Sequence, residues 1–455
     1  MRSTIKMNFA LLLALPILLL NFTSAGASSL TLIAKIPVTP APPNPAVGYL
    51  GGPGWNITAN PSPPPPLLTN ASFDLLSYDP VRQIMYSADR PNHAVDVIDT
   101  KTNTLLGFIP LPNNCNVGGT SCPSGVQVAP DIRKLVVTDR GTGAAGGGVY
   151  VYDLTASALP QAPQAVGGTF QFANAKATDE LTYDPINHRV YVNNTTNTGD
   201  PLRRYFTTVI VIQTGTVIGQ IPIASGANSP EQPRFDPKDG FIYTTTGGNS
   251  TLLRINPNFV LDPTNPANNL GAIVKTIQLP GCSPAGFDIN PVDNLGLLGC
   301  NPGAPNGFPQ ELINLNNDSI VRVIPGITAT DVLAFDPSLG EWFTASQNLI
   351  VSNGCPASQA NTAQFPQVGG IFDNPNPGLQ VACSGQGAHG LGVDPDHNFV
   401  YVPVGVFPAN GSLGLNSFTG YLVFQATAVP EPSPLLLLAF GLVALVFTYR
   451  RSVQR

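Results

Sequence analysis

Ionisable side chains recur at one position of a stretch that is repeated through this 455-residue chain. Seven copies of the stretch are centred on a proline, and the residues six positions before these prolines are Asp74, Ser124, Asp179, Glu231, Ala285, Asp331 and His389. Five of the seven can ionise, although charged residues make up only 11% of the chain. The recurrence predicts a ring of polar groups at one end of the fold.

Three kinds of chemistry are open to such a ring. Its acidic side chains could accept hydrogen bonds from backbone N–H groups and so hold the adjoining loops, as Asp often does in turns. Alternatively, Asp74, Asp179, Glu231 and Asp331 could bind a divalent cation such as calcium, which takes oxygen ligands. As a third possibility, His389 could be a catalytic acid or base beside Asp331 and Asp74. The sequence indicates no cofactor other than this cation.

The repeat also predicts the elements that carry the ring. The repeat prolines are Pro80, Pro130, Pro185, Pro237, Pro291, Pro337 and Pro395. Alternating apolar residues precede each proline and a second apolar run follows it, which indicates two strands joined by a turn. A period of about fifty residues is typical of β-propeller blades. We therefore predict an all-β fold over residues 28–428, a seven-bladed β-propeller with four-stranded antiparallel blades.

The last repeat has room for only three strands, between residues 390 and 425. The segment 30–37 ends in Ile-Pro, as the predicted fourth strands 105–110 and 217–222 do. We therefore predict that this N-terminal strand is the outermost strand of the C-terminal blade and closes the ring, which removes an open sheet edge. Residues 40–66 are rich in proline and glycine, and we predict a loop or extended insertion there because proline cannot donate to a strand ladder.

Several strand sequences, at 84–88 (IMYSA), 190–193 (VYVN) and 399–402 (FVYV), resemble the YVTN type of bacterial surface propeller. The resemblance spans about residues 73–425. It implies a propeller fold and an extracellular setting, and it implies little about activity.

The N-terminal residues have the pattern of an export signal. Arg2 and Lys6 precede an apolar run at 9–20, and the small residues Ala25, Gly26 and Ala27 follow. This order predicts a cleavable signal peptide over residues 1–27.

At the other end, Pro430, Glu431 and Pro432 precede an apolar run at 435–449 that ends in arginines. Residues 429–455 resemble the PEP-CTERM sorting signal of Gram-negative bacteria that make exopolysaccharide. The resemblance implies a single transmembrane helix, transient anchoring in the inner membrane and processing by an exosortase-type enzyme. It also implies a destination in the cell envelope, at the cell surface or in the extracellular matrix.

All six cysteines lie in the predicted exported part, where an oxidising compartment permits disulfides. Many connectivities are possible for six cysteines. The pairing of nearest neighbours that we predict is Cys115 with Cys122, Cys282 with Cys300 and Cys355 with Cys383.

The net charge of −6 and the lack of a basic stripe argue against nucleic acid as a partner. Long loops are predicted beside the ring, and one of them contains Arg203 and Arg204, which are candidate ligand-binding residues. We expect a binding or scaffold protein of the envelope or biofilm matrix, rather than an enzyme, that presents this rim to exopolysaccharide, another glycan or a surface protein. The alternative is a metal-dependent hydrolase, lactonase or lyase that uses the ring.

Overall fold

The structure is a computed structural model. It describes residues 26–38, 43–44, 49–50, 73–90, 92, 94–111, 123–140, 147–160, 169–171, 177–195, 205–223, 230–300, 310–324, 328–348, 367–368, 382–383, 390–407 and 418–429.

Thirty β-strands make up almost all of the regular structure in these ranges. The first eleven are β1 Gly26–Pro37, β2 Pro43–Asn44, β3 Tyr49–Leu50, β4 Phe73–Asp79, β5 Ile84–Asp89, β6 Ala94–Asp99, β7 Thr104–Pro110, β8 Val126–Ala129, β9 Lys134–Asp139, β10 Gly148–Asp153 and β11 Thr169–Gln171. The next eight are β12 Ala177–Asp184, β13 Arg189–Thr195, β14 Tyr205–Val211, β15 Thr216–Pro222, β16 Pro230–Phe235, β17 Ile242–Thr246, β18 Thr251–Ile255 and β19 Ile273–Gln278. The last eleven are β20 Pro284–Asn290, β21 Leu295–Cys300, β22 Gln310–Asn314, β23 Ser319–Ile324, β24 Thr328–Asp336, β25 Glu341–Asn348, β26 Gln367–Val368, β27 Ala382–Cys383, β28 Gly392–Asp394, β29 Phe399–Phe407 and β30 Phe418–Val429. Two short 3-10 helices, Gly247–Asn249 and Pro266–Ala272, lie in hairpins.

The strands form four-stranded antiparallel sheets arranged as the blades of a propeller. Six sheets are complete, with no strand shorter than three residues, and these are β4–β7, β8–β11, β12–β15, β16–β19, β20–β23 and β28–β29–β30–β1. In the sheet β24–β27 the two outer strands have only two residues each. The prediction of an all-β propeller with four-stranded antiparallel blades is confirmed, whereas a full seventh blade stays a prediction.

Neighbouring blades meet through their first strands, which line the axis of the propeller. β4 contacts β8, β8 contacts β12, and the same relation continues through β16, β20 and β24 to β28, which contacts β4. The strand β1 pairs with β30 as the outermost strand of the C-terminal blade. The predicted role of the N-terminal strand is therefore confirmed, and blades from the two ends of the chain lie next to each other.

Apolar side chains fill the space between adjacent blades. Tyr86 and Val97 of the first blade pack with Val137 and Tyr150 of the second, and all four are fully buried. Burying a side chain of this size contributes about 2 to 3 kcal/mol. Because every blade presents one such face to each neighbour, the blades stabilise one another and hold their first strands in a fixed arrangement.

We call the end of the propeller where the first strands begin the upper rim, and the end where they turn into the second strands the lower rim. The lower-rim turns follow the Asp-Pro pairs. Asp184 accepts hydrogen bonds from the backbone N–H groups of Ile186 and Asn187 at 2.9 and 3.2 Å, and Asp79, Asp236, Asp336 and Asp394 occupy equivalent turns. These aspartates hold the hairpins, as Asx side chains do in turns.

In the Pro- and Gly-rich insertion at 40–66, the structure describes one small hairpin, in which β2 pairs with β3. Within the described ranges there is no helix that is both long and apolar enough to cross a membrane. The predicted signal peptide up to residue 25 and the predicted transmembrane helix at 435–449 lie outside the described residues.

Candidate functional site

The carboxylates of the predicted ring meet at the upper rim, near the axis. Asp74 and Asp179 are buried there, and Glu231 and Asp331 are half-buried. Burial raises the pKa of Glu231 well above its ordinary value, and the nearby negative charges of Asp179, Glu180 and Asp331 raise it further. Side chains from two other blades therefore act on Glu231, so these carboxylates converge on the axis.

Glu180 is a fifth carboxylate of this group, and strict strand alternation does not predict it. Alternation would turn residues 179 and 180 to opposite faces. In the structure, the register between β12 and β13 shifts between Thr178 and Leu181, which is a β-bulge. The first strands β4, β16, β20 and β24 have register shifts at the equivalent place. Because a bulge re-aims side chains, two consecutive residues of a strand reach the upper mouth of the propeller.

Two arginines at the ends of second strands neutralise part of this charge. Arg90 follows β5 and forms a buried ion pair with Asp74. Arg140 follows β9 and pairs with Asp179 of the next blade, and its own side chain is 31% exposed. Burial lowers the pKa of Arg140, but the charge and hydrogen bond of Asp179 outweigh this effect and raise it overall.

The repeat pattern did not predict Arg90 and Arg140, although the sequence marks both of them. The second strands of the first two blades end in Ala-Asp-Arg and Thr-Asp-Arg, and no other repeat has Asp-Arg at this place. We define the axial cluster as Asp74, Asp179, Glu180, Glu231 and Asp331 together with Arg90 and Arg140.

Negative charge exceeds positive charge in the axial cluster. Burial raises the pKa of Glu180 well above its ordinary value, and the charges of Asp74, Asp179 and Asp331 add to the shift. Arg234 lowers the pKa of Glu180 only in part, because it is itself paired with Asp288 at 3.0 Å. Glu180 and Glu231 therefore favour the protonated form, in which a carboxyl group can donate a hydrogen bond as well as accept one.

Gln232 links its own blade to three others across the site, and the repeat pattern did not predict it. Its backbone N–H donates to the carboxylate of Glu180, and its side-chain amide donates to the backbone carbonyl of Asp331. Its side-chain oxygen accepts a hydrogen bond from the N–H of Phe287 at 2.9 Å. Since Gln232 is fully buried, these bonds fix the spacing of the carboxylates around the axis.

The two uncharged ring positions, Ser124 and Ala285, form hydrogen bonds to neighbouring blades through their backbone carbonyls. The carbonyl of Ala285 accepts a hydrogen bond from the hydroxyl of Thr245 at 2.9 Å, and the carbonyl of Ser124 accepts one from the N–H of Leu75 at 3.4 Å. These bonds join the fourth blade to the fifth and the first to the second. Ser124 and Ala285 therefore position the strands of the ring.

Some predicted site residues lie outside the described residues. They are His389, Arg203, Arg204 and the sorting motif residues Pro430, Glu431 and Pro432. Gly390, which follows His389, packs against the backbone carbonyl of Asp74. The chain at residue 390 therefore reaches the upper rim beside the axial cluster.

Cys282 and Cys300 form a disulfide with a Cα–Cα distance of 5.0 Å, as predicted. Cys115, Cys122 and Cys355 lie outside the described residues, and only the backbone of Cys383 is described. The pairings of Cys115 with Cys122 and of Cys355 with Cys383 stay predictions.

Among the described residues, no three histidine, cysteine, aspartate or glutamate side chains are arranged to hold a metal ion. The positive partners of Asp74 and Asp179 in the structure are arginines. A calcium site formed by Asp74, Asp179, Glu231 and Asp331 stays a prediction.

No curated protein matches the chain at a significant level. Residues 428–451 match the family model of the PEP-CTERM protein-sorting motif. This match begins within the last strand of the propeller, so the sorting motif follows the C-terminal blade without a linker. The chain is therefore an exported, surface-sorted protein of the cell envelope that carries a PEP-CTERM sorting motif, which implies processing by an exosortase-type enzyme.

Proposed function

We propose that this protein is a binding module of the bacterial envelope or extracellular matrix that holds a glycan or protein ligand at the upper rim of its propeller. The observation that supports the proposal is the axial cluster. In a chain with only 11% charged residues, five carboxylates and two arginines meet at one rim.

The chemistry of the axial cluster suits a hydroxyl-rich ligand. Arg140 is 31% exposed, and Glu231 and Asp331 are half-buried, so a ligand can reach them from the rim. Carboxylates accept hydrogen bonds from sugar hydroxyls, and an arginine donates through several N–H groups at once. The second strands β13, β21, β25 and β29 end at the same rim, and we propose that Arg203 and Arg204, in the segment that follows β13, extend the binding surface.

We further propose that all seven sheets are blades of one closed ring of the YVTN type. The cyclic contacts among the seven first strands, in which β28 contacts β4, support this count. The ring would be exported by the N-terminal signal of a Gram-negative bacterium and anchored transiently in the inner membrane through residues 435–449.

The test is binding of the mature chain, residues 28–428, to a glycan array and to the extracellular polysaccharide of the source organism. The variant Asp179→Asn/Arg140→Gln removes an ion pair without changing net charge, and we expect it to weaken binding at least tenfold. The matched control is Asp153→Asn/Lys134→Gln, which removes an ion pair of 3.0 Å on the lower rim and also leaves net charge unchanged. Equal binding by both variants would contradict the proposal.

A metal-dependent hydrolase, lactonase or lyase is the second candidate. The placement of Gly390 against Asp74 favours it, because His389 precedes Gly390 and because Asp74 and Asp331 both act on Glu180. Under this alternative, the purified protein contains a divalent ion and His389→Ala abolishes turnover of a lactone or ester substrate. A metal-free protein in which His389→Ala changes neither turnover nor binding would exclude it.

A further inference from the structure

The two ends of the described chain leave the propeller side by side at the lower rim. β29 begins directly after the lower-rim turn at 395–398 and runs upward, so β30 runs back down and ends at Val429. β1 is antiparallel to β30, and Gly26 pairs with Val429. The sorting motif matches residues 428–451, so the sorting segment starts at the lower rim, on the opposite side from the axial cluster.

The lower rim also carries unusual apolar side chains. The four most exposed large hydrophobic residues of the described chain are Val81, Ile186, Val260 and Val292, with exposures of 58%, 66%, 89% and 70%. Val81, Ile186 and Val292 each follow a repeat proline at the tip of a lower-rim turn, where polar residues are the usual choice.

Val260 lies on the same rim, in the connection between β18 and β19. Pro257, in the same connection, accepts a hydrogen bond at 2.6 Å through its carbonyl from Arg189, which adjoins the turn that holds Ile186. The side chain of Lys238, at another turn, donates to the carbonyl of Val292. Ile186, Val260 and Val292 therefore lie on three adjoining blades of the lower rim, and Val81 lies on the same rim at the first blade.

We infer that the lower rim is a lipid-facing surface that rests on the membrane into which the sorting segment inserts. The inference rests on the proposed membrane anchoring of residues 435–449. The four exposed aliphatic side chains of the lower rim can enter the interface between lipid headgroups and acyl chains, as the apolar faces of interfacial segments do. They are those of Val81, Ile186, Val260 and Val292. The sorting segment holds this rim at the bilayer, because no linker separates it from β30. While the chain is anchored, the axial cluster then faces away from the membrane, towards ligands in the envelope space outside the inner membrane.

The test uses the full-length, unprocessed chain in vesicles of phosphatidylethanolamine and phosphatidylglycerol that contain a trace of acceptor-labelled lipid. A fluorescent donor is attached through an unnatural amino acid either at Val292, on the lower rim, or at Gly248, in the exposed upper-rim hairpin. The seven residues of β20 separate the rims by about 23 Å. We expect energy transfer to lipid to be at least twofold higher from position 292. Equal transfer, higher transfer from position 248, or a chain that does not float with the vesicles would each overturn the inference.

A second pair of variants tests the aliphatic tips themselves. In the chain labelled at 292, the variant Val81→Ser/Ile186→Ser/Val260→Ser should lower the transfer. The control Val274→Ser/Val321→Ser/Val323→Ser changes exposed valines on the outer strands and should leave it unchanged. An unaltered signal in the lower-rim variant would overturn the inference. Energy transfer to lipid does not depend on ligand binding. Binding is measured separately, with the same preparations on glycan arrays.

Discussion

Tyr421, on the last strand of the propeller, donates a hydrogen bond to the carboxylate of Asp96 in the first blade, and both side chains are fully buried. The two residues are 325 positions apart in the chain. The buried Asp89 lies close to Asp96, and its negative charge adds to the effect of burial in raising the pKa of Asp96. Two carboxyl groups can share a hydrogen bond only if one carries a proton. Burial and the neighbouring charge of Asp89 raise the pKa of Asp96, so we expect these two carboxyl groups to share a proton where the first blade meets the C-terminal blade.

This contact predicts that stability falls as pH rises from about 4 through about 6. Burial raises the pKa of Asp89 from 3.8 to about 6 and that of Asp96 well above 3.8. Because each carboxyl group holds its proton more tightly in the folded state, its contribution to stability is complete at a pH below its pKa in the unfolded chain. This contribution is lost as the pH rises through about 6, at up to about 1.4 kcal/mol per pH unit for each proton. Urea unfolding at several pH values between 4 and 8 measures the effect.

The variant Asp96→Asn replaces the shared proton with an amide, which can donate to Asp89 at any pH. We expect a flatter pH dependence than in the wild type, although Glu180 and Glu231 still contribute with the same sign. Asp293→Asn, at an exposed lower-rim position, is the control and should keep the wild-type profile. Parallel profiles for Asp96→Asn and the wild type would argue against a shared proton.

Gln232→Ala should destabilise the protein by about 2 to 3 kcal/mol, because it leaves the N–H of Phe287 and the carbonyl of Asp331 buried without this partner. The change in free energy of unfolding is read from denaturant titration. Gln127→Ala is the matched control, since the amide of Gln127 bonds only to the adjacent Val128 carbonyl among the described contacts and should cost less than about 1 kcal/mol. Similar losses in the two variants would mean that Gln232 does not link the blades.

Gly286→Ala should destabilise the contact between the fifth and sixth blades. A Cβ at this position would lie 2.7 Å from the backbone carbonyl oxygen of Asp331, so the first strands would have to move apart. Overpacking of this kind costs about 1 to 3 kcal/mol. Gly271→Ala is the control, because the added methyl group meets the ring of Phe259, a side chain that can shift. Thermal unfolding of the two variants gives the comparison, and a smaller loss for Gly286→Ala than for Gly271→Ala would contradict this account.

The disulfide between Cys282 and Cys300 closes a short loop within the fifth blade, and the variant Cys282→Ala/Cys300→Ala should lose about 2 to 4 kcal/mol of stability. Urea unfolding with and without dithiothreitol separates this disulfide from the predicted ones. If Cys115 pairs with Cys122 and Cys355 with Cys383, reductant should destabilise the double variant further. Unchanged stability of the double variant in the absence of reductant would contradict the prediction.

The sequence alone was sufficient to predict an all-β propeller with four-stranded antiparallel blades and the position of β1. A strand is encoded locally, by alternation of apolar residues, and the Asp-Pro turn recurs in five of the seven copies of the repeat. The missing fourth strand of the last repeat and the Ile-Pro ending of residues 30–37 predicted the pairing that is observed between β1 and β30. The sorting motif is likewise a local pattern, so residues 428–451 could be recognised without a fold.

Only the tertiary structure decided which groups share the upper rim with the ring. The bulges in the first strands bring Glu180 and Gln232 to the axis, and a bulge leaves no mark in apolar alternation. The partners of Arg140, Gln232 and Tyr421 come from other blades, and their distances depend on how the blades close around the axis. Sequence periodicity predicts the face of each strand, whereas the net charge of the axial cluster arises only when strands from different blades meet.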